Sequence, residues 1–256
     1  MTNKLHILAN GCSNTYGAGL IDQELERTLE LRPWIDQESH RMAWPNQLKQ
    51  LLGAADSTNL AVSMSSNQRI IRTTLEWCRN QKQDLLDNTI AVIQWTHCMR
   101  YEYYVPQTLR KDHRLQEPLL NVTTADPLRW ARVKPNCRSG VELEPQTIAG
   151  YDLEELVQLR YLLWTEQEGA YRDIECYHSL ESIFRQFGIR YFYWHLLGYQ
   201  LPQELELYAK NTFSWVDPAN PNGSGWQYDR LQCQHPSEQG HRQIAELIAE
   251  HIKNRI

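Results

Sequence analysis

A chain of 256 residues suffices for one large domain or two small ones, and a composition of 41% hydrophobic and 22% charged residues describes a cored protein rather than a disordered one. The formal net charge of −5 supplies no general basic field for nucleic acid, and the basic run Leu109–Arg114 is broken by Asp112 and reads as a solvated loop. No apolar run reaches membrane-spanning length and none precedes the first strand, so the expectation is a cytoplasmic protein without membrane contact.

The six cysteines (Cys12, Cys78, Cys98, Cys137, Cys176, Cys233) contain no Cys-x-x-Cys pair, which suits free thiols in a reducing compartment. In chain order, Leu5–Ala9 is a short apolar run ended by Asn10-Gly11, the pattern of a buried strand. Residues 44–53 have helical periodicity, with Pro45 early and Gly53 at the close. Thr58–Val62 reads as a second strand, after which Ser65, Ser66 and Asn67 offer caps for a helix through Ile70, Thr74 and Cys78. Thr89–Trp95 is the clearest strand. An irregular, proline-punctuated stretch follows at about 98–150. Tyr151–Phe187 reads as helix in two pieces around Gly169, Ile189–Leu196 as a strand, and Thr212–Val216 as a last short one. Ser237–Ile256 closes the chain as an amphipathic helix with Ile244, Leu247, Ile248 and Ile252 on one face. Five strands alternating with helices imply an α/β domain with a mainly parallel sheet. Residues 1–256 thus read as one domain carrying an insertion at about 98–150.

Reactive groups of open parallel sheets gather beyond the carboxyl ends of the strands. Ser13, the Ser63–Asn67 turn and Thr96 each follow a predicted strand, and His235 lies in the turn before the last helix. A serine and an imidazole converging at one sheet edge are the parts of an acyl-transfer site. Each also has a plainer reading: Ser13 as a helix N-cap, His235 as a turn residue, Asn67 as a cap, and Cys12 as a buried thiol behind the strand. Asn67, Trp95, Arg100 and Tyr101 stand near the same edge as candidates for substrate contact, with Arg100 suited to an anionic group. An ordinary polar loop is the alternative for the last two. The glycines at 11, 17 and 19 match neither a dinucleotide fingerprint nor a P-loop, and the nine histidines show no metal-ligand spacing, so neither cofactor nor metal is expected.

Gly11-Cys12-Ser13-Asn14-Thr15-Tyr16-Gly17 is similar to the GCSxTxG variant of the first block of the SGNH hydrolases, also called GDSL-type esterases. Asn59-Leu60-Ala61-Val62-Ser63-Met64-Ser65-Ser66-Asn67 resembles the second block, with Met64 where that family has glycine. Gln94-Trp95-Thr96-His97 stands where the third block reads G-x-N-D, and Gln232-Cys233-Gln234-His235-Pro236 keeps the His-Pro of the last block without its aspartate. The resemblance implies a flavodoxin-like three-layer α/β/α sandwich around a five-stranded sheet, and a serine esterase that needs no cofactor. Ser13 would be the nucleophile and His235 its base. The backbone N–H groups of Ser13 and Met64 and the hydroxyl of Thr96 would hold the oxyanion. Gln232 or Asp229 would orient the imidazole in place of the family's aspartate. The substrate implied is a small or carbohydrate-linked ester, with homodimerisation left open. Two other readings stand beside hydrolysis: an acyltransferase using the same serine, and a non-catalytic binding protein that has lost the block aspartate and glycine.

Overall fold

The computed structural model describes residues 5–20, 41–63, 65–96, 100–104, 130–133, 166–195, 212–214 and 235–255. In chain order the elements are β1 (His6–Asn10), α1 (Ser13–Tyr16), α2 (Trp44–Leu51), β2 (Asp56–Asn59), α3 (Asn67–Arg79), α4 (Gln83–Leu86), β3 (Thr89–Trp95), β4 (Tyr101–Tyr104), β5 (Trp130–Val133), α5 (Glu166–Phe187), β6 (Arg190–His195), β7 (Thr212–Ser214) and α6 (Glu238–Lys253).

The main sheet runs β2-β1-β3-β6-β7, and every pairing in it is parallel. From β1 the chain moves to one side to lay down β2, then returns to the other side of β1 for β3. This reversal puts the carboxyl ends of β1 and β3 at the switch point where open α/β sheets of this strand order bind their ligands. The register aligns the ends closely, with Ala9 opposite Asn59 on one side and Asn10 opposite Ile93 on the other.

Successive side chains of a strand point to opposite faces, and the core divides accordingly. Leu8, Ala91, Ile93, Trp95 and Tyr193 pack with Ile70 and Cys78 of α3 and with Tyr177, Leu180 and Phe184 of α5. Ile7, Ala9, Ile90, Val92, Phe192 and Trp194 pack with Trp44 and Leu48 of α2 and with Ile244, Ile248 and Ile252 of α6. Helices therefore cover both faces, which is why β1 and β3 are buried at every position and their apolar residues run consecutively rather than alternating. Among the described residues no helix is long and apolar enough to cross a membrane.

Four features of the described residues differ from the sequence expectations. The second strand begins at Asp56 and ends at Asn59 instead of running Thr58–Val62. Asn59 Oδ1 accepts from the N–H of Ala61 at 3.1 Å, a side-chain turn that takes the chain out of the sheet. The stretch expected to be irregular contains an antiparallel pair, β4 with β5, with Tyr101 opposite Val133 and Tyr104 opposite Trp130. Aromatic residues in both segments, with Val133 in the second, favour a strand, whereas the surrounding prolines dominate the sequence pattern. Gly169 does not split its helix: α5 runs through it with the residue buried, despite a penalty of roughly 1 kcal/mol for glycine in a helix, and residues 151–165 of the expected helix lie outside the described residues. Leu247 is 37% exposed rather than on the buried face of α6, because Ala245 and Ala249 complete that face beside the isoleucines.

One contact ties the first helix of the second core to the last. Ala43, the N-cap of α2, has no side-chain acceptor, so the first N–H of that helix lacks a local partner. The N–H of Trp44 donates instead to Nδ1 of His241 on α6 at 3.1 Å. Burial, with the nearby charge of His235 adding to it, pushes the His241 imidazole down to about 3. An unfolded histidine protonates near 6.5. Below that pH the unfolded chain binds a proton that the native state refuses, so this group removes stability as pH falls from about 6.5 towards 3. His241→Gln, whose amide oxygen can still accept from Trp44, should flatten the acid limb by up to about 1.4 kcal/mol per pH unit. Urea unfolding of both proteins at several pH values across that window checks it; parallel pH profiles would contradict the assignment.

Candidate active site

The first loop beyond the sheet is built from its polar residues upward. Asn10 ends β1 fully buried, and its Nδ2 donates to Ile70 O at 3.1 Å, Thr73 Oγ1 at 2.9 Å and Thr74 Oγ1 at 3.0 Å. Its Oδ1 accepts from the N–H of Gly11 at 2.9 Å. The amide thus pins the strand end to α3 and sets the direction in which the chain leaves the sheet. A one-turn helix follows. The N–H of Thr15 and of Tyr16 both reach Cys12 O, and the N–H of Gly17 reaches Ser13 O at 3.0 Å. Gly17 closes the turn at φ 94°, a left-handed conformation that glycine adopts without strain.

So short a helix does not stand alone. Two residues from neighbouring segments hold it. Asn59 Nδ2 donates to Thr15 O at 2.8 Å, and Thr15 Oγ1 donates to Gln94 Oε1, the side chain of the penultimate residue of β3. Gly11 makes that grip fit. A Cβ there would lie 2.4 Å from Thr15 Oγ1 and 2.8 Å from Gln94 Cβ, inside any tolerable contact. Glycine, threonine and the final glycine of the first block therefore each have a structural reason, and together they fix the residue between them, Ser13.

Ser13 is the first residue of α1 and 9% exposed. Its hydroxyl donates to Cys12 Sγ at 4.0 Å, and among the described residues no hydrogen bond joins it to His235. The Cys12 sulfur is a meeting point, with Asn14 Nδ2 at 3.8 Å and the Arg100 guanidinium against it. Burial alone would push this thiol up. The charge of Arg100, the N–H of Asn14, and hydrogen bonds from Arg100 and Ser13 outweigh it and bring the thiol below its ordinary value. Burial pushes Cys78 and Cys176 up to about 12, with the charges of Asp173 and Glu175 adding to it at Cys176.

The second loop is anchored with equal density. Ser65 Oγ donates to Val62 O at 2.8 Å, Ser66 caps α3 by accepting from the N–H of Arg69, and Arg69 Nη1 reaches Leu60 O at 3.1 Å. Asn67 joins this loop to the third one. Its Oδ1 accepts from the N–H of Thr96 at 3.0 Å, while its Nδ2 donates to Thr96 O at 3.1 Å and to Asp173 Oδ1 at 3.0 Å. Both ends of the Asn67 amide are thereby occupied in holding Thr96. Trp95 lies in the first core, 3% exposed, stacked on Tyr177 at 4.5 Å and tilted against Tyr193 at 5.4 Å. His235 is half-buried in the turn before α6, beside His241. Tyr101 opens β4. Met64, Asp229 and Gln232 lie outside the described residues. Among the described residues no group of His, Cys, Asp and Glu is placed to hold a metal ion.

Two residues that hold the site carry no role in the sequence patterns above. Asp173 is a carboxylate only 6% exposed, on the same stripe of α5 as Tyr177, Leu180 and Phe184; a charged residue inside an apolar helical stripe is its signal. Gln94, 1% exposed at the end of an otherwise apolar strand, carries the same kind of signal.

Residues 23–125 match DUF6071, a family of unknown function. No curated protein matches the chain. Among solved structures, a protein assigned to the lipolytic G-D-S-L family from Desulfitobacterium hafniense DCB-2 is similar at 12% identity and a TM-score of 0.43, with 97% of this chain and 99% of that chain covered. The lipase Lip_vut3 from a goat rumen metagenome is similar at 11% identity and a TM-score of 0.43, with 97% of each chain covered. Likeness of this degree carries no argument about chemistry.

The grip on Thr15 makes a direct forecast. Gly11→Ala should destabilise the fold by about 1–3 kcal/mol, the usual cost of overpacking a filled interior. Urea unfolding at neutral pH reads the change; a shift below about 0.5 kcal/mol, the size of an ordinary surface substitution, would show that the clamp yields freely.

Proposed function

We propose that the chain is a serine ester hydrolase of the SGNH type, in a three-layer α/β/α arrangement, acting on a small or carbohydrate-linked ester through an acyl-enzyme on Ser13. One observation carries the reading. Residues from the blocks that resemble the family bond to one another: Asn59 and Gln94 to Thr15, and Asn67 to Thr96. Their product is a serine fixed at the reversal point of the sheet.

In this reading Ser13 Oγ attacks the ester carbonyl carbon while His235 takes the hydroxyl proton. The carbonyl oxygen becomes an oxyanion, held by the N–H groups of Ser13 and Met64 and by the hydroxyl of Thr96. The first N–H groups of a helix have no partner within it, which suits that of Ser13 to this task. Collapse of the tetrahedral species breaks the bond to the alcohol oxygen, and the imidazolium returns the proton to it. Water, deprotonated by His235, then attacks the acyl carbonyl and releases the acid and Ser13. For this step Ser13 Oγ must leave the Cys12 sulfur for the imidazole. Gln232 accepts from the imidazole N–H and sets its tautomer without adding charge. Asp229 is the alternative orienting group.

Incubation with a fluorophosphonate probe tests the reading. Mass spectrometry should find the phosphonyl group on Ser13 and none on Ser13→Ala. An unlabelled folded protein, beside a control esterase that labels, would favour the binding-protein reading. Gln232→Asp should raise ester turnover by at least about tenfold, since a triad carboxylate is worth about 10⁴ in serine proteases. An unchanged rate in the folded variant would assign the orienting role to another residue.

A further inference from the structure

Two polar atoms beside Ser13 are buried with nothing to bond. Arg100 Nη1 is a donor out of contact with solvent and without a hydrogen-bond partner, and Asn14 Oδ1 is an acceptor in the same state. Asn14 is 7% exposed, and its other amide atom, Nδ2, is the one that reaches Cys12 Sγ. Arg100 bears on the same sulfur, and Ser13 Oγ is 4.0 Å from it. Arg100, Asn14 and the proposed nucleophile therefore all bear on one atom, the Cys12 sulfur. Among the described residues no carboxylate forms an ion pair with Arg100. A guanidinium carries five N–H donors, far more than one sulfur can satisfy. Leaving a buried donor or acceptor unpaired is costly, more so when it is charged. Unpaired groups of opposite hydrogen-bonding sense, on residues that share a contact at a candidate site, are what a ligand is expected to complete.

We propose that Arg100 and Asn14 form an anion-recognising subsite next to Ser13, so that the substrate is an ester that also carries a carboxylate or phosphate group close to the scissile bond. Arg100 binds the anionic oxygens with its planar fork, and Asn14 Oδ1 accepts from a hydroxyl or N–H of the same molecule. Cys12 seats the guanidinium from behind. The proposal rests on the reading of Ser13 as nucleophile for its placement of the scissile bond, but anion recognition itself can be measured without turnover.

The test uses the Ser13→Ala protein and calorimetric titration with three probes: 4-nitrophenyl hydrogen succinate, its neutral methyl ester, and 4-nitrophenyl phosphonoacetate. At least one anionic probe should bind about tenfold or more tightly than the methyl ester, the contribution of a charge-assisted hydrogen bond. The better of the two anions identifies carboxylate or phosphate as the group recognised. The preference should disappear in Ser13→Ala/Arg100→Gln and survive in part in Ser13→Ala/Arg100→Lys, which keeps the charge without the fork. Equal affinity for neutral and anionic probes in Ser13→Ala overturns the proposal without recourse to any Arg100 variant. A retained preference in the folded Arg100→Gln variant overturns it as well. If the anion preference holds but wild-type protein takes no fluorophosphonate, the subsite stands and the hydrolase reading falls.

Discussion

The site depends on a missing methyl group. Where Gly11 lacks a Cβ, Thr15 comes close enough to Gln94 for their side chains to bond, and Asn59 takes the carbonyl of the same threonine. A four-residue helix has almost no stability of its own. Held from two sides, it presents Ser13 at a defined height above the sheet. Hydrogen bonds between buried neutral groups each contribute about 1 kcal/mol, but breaking one leaves its partner unsatisfied at greater cost. The arrangement is therefore strongly coupled: a change in Gly11, Asn59 or Gln94 reaches Ser13 without touching it.

A second constraint runs in parallel. The two central strands β1 and β3 are buried along their length, yet β1 ends in Asn10 and β3 carries Gln94 at its penultimate position. Such residues do not serve the core, because amides are costly to bury unless every arm is bonded. Here the bonds run sideways, from Asn10 to α3 and from Gln94 to α1. Asn67 and Asp173 repeat the device around Thr96. The loops at the reversal point are thus tied to one another more densely than loops need to be for folding alone, which suits preorganisation of a reacting centre.

Much of this arrangement is legible in the order of the residues. Strands β1 and β3 and helices α2, α3 and α6 announce themselves through apolar periodicity and caps: Ser66 and Ser237 accept the N–H bonds their positions imply. The first block of the site is legible because glycine, serine and threonine recur there at spacings that steric fit requires. Other features are hidden for physical reasons. The β4–β5 pair is non-local, and its partner segments lie far apart in the chain amid prolines. The end of β2 is set by one side-chain turn at Asn59, which competes with the β-propensity of the residues after it. Asp173 shows only as a charge on an apolar stripe, because helical periodicity marks a face without saying what that face meets. The gathering of donors on Cys12 likewise arises only when a residue after β3 comes back to one after β1.

Cys12 and Ser13 are neighbours with opposite claims. The thiol is held below its ordinary value by Arg100, and the hydroxyl of Ser13 leans on it. In the proposed division of labour the sulfur holds the cation and the hydroxyl does the chemistry, with His235 as its base. The most direct measurement of that assignment is a crystal structure of the protein after reaction with a fluorophosphonate. The expected result is phosphorus bonded to Ser13 Oγ, with a nitrogen of the His235 imidazole at about 3 Å from that oxygen. Phosphorus on the Cys12 sulfur, or on Ser13 with His235 turned away from it, would contradict the assignment.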